Sequence, residues 1–217
     1  MATLHVRQLK MLEGQMLEIE NVSWSEFELI LEDLDENRNT RIAYSDGTLS
    51  IVAPMLKHEK TKVCISDFIK TLLDELEIDY VSCGSTTFKR ESMSKAVEPD
   101  DCFYLQHADQ IASKSRIDLS VDPPPELAIE IGLTSKTQLE AYRGLGVSEL
   151  WRFDAEDLRI DYLKEGEFVE TKESSFFPGW PIKDMLYHYL KVARETNQRR
   201  VKKNFRQWVA NRIAVPD

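Results

Sequence analysis

A carboxylate set inside an otherwise apolar strand constrains this chain more than any other feature. Leu127-Ala128-Ile129-Glu130-Ile131 reads as a buried strand with one acidic residue in it. An ionised group in such a place is costly unless something pairs with it. Earlier in the chain, Glu98-Pro99-Asp100-Asp101-Cys102-Phe103-Tyr104 opens a second apolar strand with another acidic residue, Asp100. If the two strands are neighbours, both carboxylates face one point, where like charges raise each other's pKa until a cation neutralises them.

The donors at such a point are oxygens, with no His/Cys cluster beside them, which suits Mg²⁺ or Mn²⁺ rather than zinc. Asp100 and Glu130 would be the ligands, with the backbone carbonyl of Ile131 as a third. A metal held there lowers the pKa of water and stabilises charge on a phosphoryl oxygen. Lys136, in the run Thr134-Ser135-Lys136-Thr137-Gln138, would hold that water or stabilise the transition state. Gln138 and Tyr142 lie four apart and share a helix face; the helical phase does not put Lys136 on it. His58-Glu59 continues as Lys60-Thr61-Lys62, so the H-E-x-x-H zinc motif is absent. Glu59 reads as a first-turn helix stabiliser or as a further ligand. The residues alone also leave a structural alternative open, in which Asp100 caps a loop and Glu130 pairs with Lys136 or Arg143.

The periodicities around this stretch predict an α/β fold. Ser23-Trp24-Ser25-Glu26 has the form of a capping box, followed by Phe27, Ile30, Leu31 and Leu34 as one stripe. Arg41 to Tyr44, Asp46-Gly47 and Thr48 to Ala53 predict a hairpin. A helix follows from Lys57 to about Leu76, then short strands at Tyr80–Ser82 and Thr86–Arg90 on either side of Gly84. Strands are expected at Asp101–Gln106, Leu127–Ile131, Glu149–Asp154 and Leu158–Leu163. His107 to Val121 reads as loop with a turn of helix, and 134–145 as a helix stopped by Gly146. The last core helix starts at Pro181 and buries Ile182, Met185, Leu186, Tyr189 and Leu190. The sum is a mixed central sheet flanked by helices, with antiparallel hairpins at its margins. We expect an N-terminal extension over 1–22, the folded domain over 23–196 and a basic tail over 197–217.

Composition narrows the function. A formal net charge of −10 over 217 residues tells against a broad, sequence-blind grip on duplex nucleic acid. The charge is uneven, since Arg199, Arg200, Lys202, Lys203, Arg206 and Arg212 stand near the C-terminus against Asp217 alone. Cys64, Cys83 and Cys102 are odd in number and form no C-x-x-C, so reduced thiols are expected. No apolar run reaches the ~20 residues of a membrane helix, and no signal-peptide core stands at the N-terminus, which together predict a cytoplasmic protein. No Ser-His-Asp or Cys-His arrangement emerges from His5, His58, His107 and His188, which argues against acyl transfer.

The ordered motifs Tyr44…Gly47-x-Leu49…Pro54…His58-Glu59, Glu98-Pro99-Asp100, Pro124-Pro125-Glu126-Leu127, Glu130-Ile131, Thr134-Ser135-Lys136-Thr137-Gln138 and Tyr142…Gly146-Val147-x-Glu149-Leu150-Trp151-Arg152 resemble the Uma-two family. These are bacterial domains classed with restriction endonucleases, in the PD-(D/E)XK nuclease-like superfamily. The resemblance spans about residues 20 to 190. It implies a restriction-endonuclease-like fold, an Asp…Glu-x-Lys metal site and a Mg²⁺- or Mn²⁺-dependent DNA endonuclease. By position it implies Asp100 and Glu130 as the motif acids, Glu59 as the acidic residue of the first core helix, and Gln138 with Tyr142 as the Gln-x-x-x-Tyr pair. Gly132 stands where the wider superfamily has lysine, and Lys136 is the candidate to replace it. By analogy with nucleases of this fold a homodimer is expected. The alternative is a catalytically inactive nuclease fold acting as a scaffold or regulatory binding protein.

Overall fold

Ser23 and Glu26 close the predicted capping box reciprocally. The Ser23 amide donates to Glu26 Oε2 (2.8 Å) and the Glu26 amide to Ser23 Oγ (3.3 Å), satisfying amides that the first helical turn leaves open. Helix α1 (Trp24–Leu34) follows. The computed structural model describes residues 9–34, 40–132, 135–154 and 157–214; the expectations resting on His5 and Thr134 lie outside them.

Two sheets organise the chain. The first contains β1 (Met16–Ile19), β2 (Arg41–Ser45), β3 (Thr48–Val52), β5 (Phe88–Arg90) and β6 (Lys95–Val97), in the order β1-β3-β2-β6-β5. The β2–β3 hairpin turns on Asp46 (φ 46°) and Gly47 (φ 89°). Positive φ at both central residues is what a two-residue hairpin matched to strand twist requires. The second sheet contains β4 (Val81–Ser82), β7 (Asp101–Tyr104), β8 (Leu127–Ile131), β9 (Glu149–Asp154), β10 (Asp157–Lys164) and β11 (Glu167–Thr171). Its order is β11-β10-β9-β8-β7-β4. Among the described residues only β8 and β9 run parallel, joined through helix α4 (Lys136–Leu145), as a parallel pair requires. This is the predicted mixed sheet with hairpins at its margin.

Helix α2 (Leu56–Glu75) buries Ile65, Phe68, Ile69, Leu72 and Leu73 in the main core with Phe103, Leu127, Ile129 and Trp151. Helix α5 (Ile182–Glu195) adds Ile182, Met185, Leu186 and Tyr189 to that cluster. Helix α4 closes a second cluster, with Ala141, Tyr142 and Leu145 against Cys102, Tyr104 and Ala128. A short helix α3 (Ala108–Ala112) occupies the predicted turn of helix. Cys64, Cys83 and Cys102 are free thiols.

The structure differs from the sequence reading in three places. Strand β6, between β2 and β5, was not expected; three residues are too few to show a period. The segment read as a basic tail includes helix α6 (Gln198–Ala214), whose Val201, Phe205 and Val209 are fully buried with Phe68 and Tyr189. Two of its cations are spent on α2, Lys202 on Asp67 (3.0 Å) and Arg206 on Glu75 (2.9 Å). The segment read as an N-terminal extension includes β1, which pairs antiparallel with β3.

Candidate active site

Strand pairing brings Asp100 and Glu130 together. In the antiparallel β7–β8 register Asp101 faces Ile129, so Asp100, one residue earlier, stands opposite Glu130. The Asp100 amide donates to the Ile129 carbonyl (3.1 Å) and the Ile131 amide donates to Asp100 Oδ2 (2.8 Å). Directly opposite residues of an antiparallel pair project to the same face. Both acids are buried, Asp100 at 8% and Glu130 at 4% exposure. They line one cavity of about 590 Å³ with Arg41, His58, Ile131 and Gln138.

The electrostatics follow from that burial. Desolvation pushes the Asp100 carboxyl up, opposed by the Ile131 amide and by the charges of Lys62 and Arg41, while Glu59 adds to the rise. Burial pushes Glu130 well above the carboxylate range and the Asp100 charge pushes it further; the Tyr142 hydroxyl and Arg41 pull the other way. Tyr142, itself buried, donates its hydroxyl to Glu130 Oε1. Burial and mutual repulsion therefore favour the protonated forms of the pair more than for exposed carboxylates.

The other predicted site residues are placed as follows. Gln138 is buried and lines the cavity, and Tyr142 shares its face of α4. Ile131 holds Asp100 through its amide. Glu59 does not line this cavity; it pairs loosely with Arg41 (3.7 Å) and Lys62 (3.8 Å) and opens on a neighbouring cavity with Arg41. Lys136 is not brought to the pair. Its side chain is 86% exposed at the start of α4 and meets Glu140 (3.4 Å) one turn on. Glu130 pairs with neither Lys136 nor Arg143, because Arg143 is taken by Glu167 (2.7 Å). Gly132 has φ +74°, and a Cβ there would lie 2.9 Å from the His58 ring, so imidazole covers the place where a lysine stem would start. The adjacent Asp101 is engaged elsewhere, by Ser66 and Ser82.

Sequence reasoning missed Arg41. It starts β2 in the other sheet and reaches the cavity across the gap between sheets, a juxtaposition no local spacing carries. Its Nε is buried without a hydrogen-bond partner among the described residues.

Residues 24–186 match the model of the family Uma2, described as "Putative restriction endonuclease". The chain belongs to the Uma2 family. As a Uma2 member it shares its fold with a solved structure, that of "a putative nuclease belonging to DUF820 from Anabaena variabilis ATCC 29413". That chain is 17% identical, with a TM-score of 0.51 over 78% of this chain and 99% of the other. No curated protein matches. Among the described residues of this Uma2 protein, no helix is long and apolar enough to cross a membrane.

Whether the site suits a divalent cation is a question of donors. Among the described residues no group of three or more His, Cys, Asp or Glu side chains is arranged around one ion. Two facing carboxylates nevertheless fit Mg²⁺, which is commonly held by one or two carboxylates with water and substrate phosphate completing the shell. Burial raises the pKa of both acids, and a cation bound between them would favour their ionised forms.

Proposed function

We propose that this protein is a divalent-metal-dependent DNA endonuclease that hydrolyses phosphodiester bonds at the Asp100–Glu130 pair. The observation that carries the reading is the burial of two carboxylates face to face in a solvent-connected cavity, in a chain of the Uma2 family. Asp100 and Glu130 would hold the cation, with the Ile131 carbonyl as a third donor. When bound, Mg²⁺ or Mn²⁺ supplies Lewis acidity toward a phosphoryl oxygen and toward water. Tyr142 fixes the rotamer of Glu130 through its hydroxyl, and Ile131 fixes that of Asp100. Gln138 presents an amide to the cavity and is placed to orient water or a phosphate oxygen. Arg41 takes the cationic role first assigned to Lys136, since it lines the cavity and acts on both acids; charge stabilisation of a developing phosphorane is its task.

The test is nicking of supercoiled DNA by purified protein in Mg²⁺ or Mn²⁺. We expect nicking by the wild type and its loss in both Asp100→Ala and Glu130→Ala. Nicking that survives in both variants marks a contaminant and overturns the assignment. One observation favours a second reading, an inactive nuclease fold serving as a binding module: Gly132 and the outward Lys136 leave the usual lysine seat empty. Calorimetry at low salt that detects no divalent binding selects that reading.

A further inference from the structure

The mouth of the cavity has a chemistry of its own. Helix α5 presents Tyr187, Lys191 and Arg194 to it, at i, i+4 and i+7 on one helix face. Lys57, in the first turn of α2, lines the same cavity. Tyr187 is 52% exposed. Among the described residues it stacks on no other ring, unlike its neighbours His188 and Tyr189, which meet each other and the core. A half-exposed aromatic and two lysines therefore line the cavity that holds the buried acid pair. In a chain of net charge −10, cations gathered at one opening are a local reversal of the overall field.

We propose that the Tyr187–Lys191 face of α5 is a landing platform for a single DNA strand, with a base stacked on Tyr187 and the adjoining phosphates against Lys191 and Lys57. Aromatic faces flanked by cations are how proteins hold unpaired strands without reading sequence. Charge decides against an intact duplex. The chain carries a net charge of −10, and the cavity that the carboxylates share with Lys57 and Lys191 also has Asp154 in its wall. A duplex grip also needs a broad basic face, whereas Lys202 and Arg206 of α6 are already paired to α2. The preference is therefore for single strands, frayed ends or flaps. This inference rests on the nuclease reading only in naming DNA as the polymer.

Binding is measured without turnover, by fluorescence anisotropy of a labelled oligothymidylate and of a matched duplex, in EDTA and in Ca²⁺ at low salt. We expect the single strand to bind more tightly than the duplex. Tyr187→Ala weakens the strand by about thirtyfold, the mid-range loss of one stacked base, and Tyr187→Phe restores it because the ring remains. Lys191→Gln reduces the salt slope by about one phosphate contact. Unchanged melting temperatures exclude misfolding, which the exposure of Tyr187 already disfavours. Strand binding that ignores Tyr187→Ala, duplex binding as tight as strand binding, or no strand binding at all each overturn the platform. Tyr187-dependent binding with no cleavage in Mg²⁺ or Mn²⁺ leaves the platform and removes the nuclease; cleavage with no dependence on Tyr187 does the reverse.

Discussion

Glu130 combines a cost and a function in one side chain. Inside an apolar strand it is tolerated through the Tyr142 hydroxyl, while burial and the Asp100 charge push its carboxyl up. The sign of the pH effect follows from the direction of the shifts. Both acids have a higher pKa folded than unfolded, so their contribution to stability is complete below the ordinary carboxylate pKa of about 4. It is lost as pH rises from there through the folded values. The groups facing the pair are Tyr142 and Gln138 from α4, Arg41 from β2, and Lys62 and Glu59 from α2. The melting temperature in EDTA should therefore fall more steeply with rising pH in the wild type than in Glu130→Gln, where one titrating group is gone. Mn²⁺ at about a hundred times its Kd should raise wild-type stability by ~2.7 kcal/mol, and Glu130→Gln should lose that gain. Parallel pH profiles for the two proteins would refute a raised pKa at Glu130.

Among the elements, α6 changes the picture of the chain most. Its charges read from the sequence as a solvated arm, yet Phe205 is fully buried and packs on Phe68, Tyr189 and Trp208. The apolar stripe of Val201, Phe205 and Val209 was present in the sequence at i, i+4 and i+8, masked by the cations around it. Phe205→Ala should cost about 3–5 kcal/mol by urea denaturation, the range for emptying a core aromatic site; a loss under ~1 kcal/mol would return the segment to the status of a tail. Helix α4 was more legible. Gln138 and Tyr142 were placed on one face by their spacing, and both are buried there. The same spacing rule left Lys136 off that face, and it points to solvent.

On the scale of the whole molecule, the site is assembled between two sheets. Asp100 and Glu130 come from the six-stranded sheet and Arg41 from the five-stranded one. Coupling across that gap has a measurable consequence. Arg41 lowers the pKa of both acids, so Arg41→Ala should raise them and move the midpoint of pH-dependent Mn²⁺ binding to higher pH by calorimetry. An unmoved midpoint would show that the two sheets do not communicate through this charge.

Most of the strands and helices (though not β1, β6 or α6), the capping box, the Asp46-Gly47 turn and the candidacy of Asp100 and Glu130 were determined by the sequence alone. Each rests on an interaction spanning a few residues, or on the conflict between a charge and its apolar neighbours. Tertiary structure decided which strands pair, that Arg41 and not Lys136 stands beside the acids, that His58 covers Gly132, and that Tyr187 and Lys57 line one cavity. Those contacts join residues far apart in the chain. Their energies depend on register and packing between elements, which local periodicity does not carry.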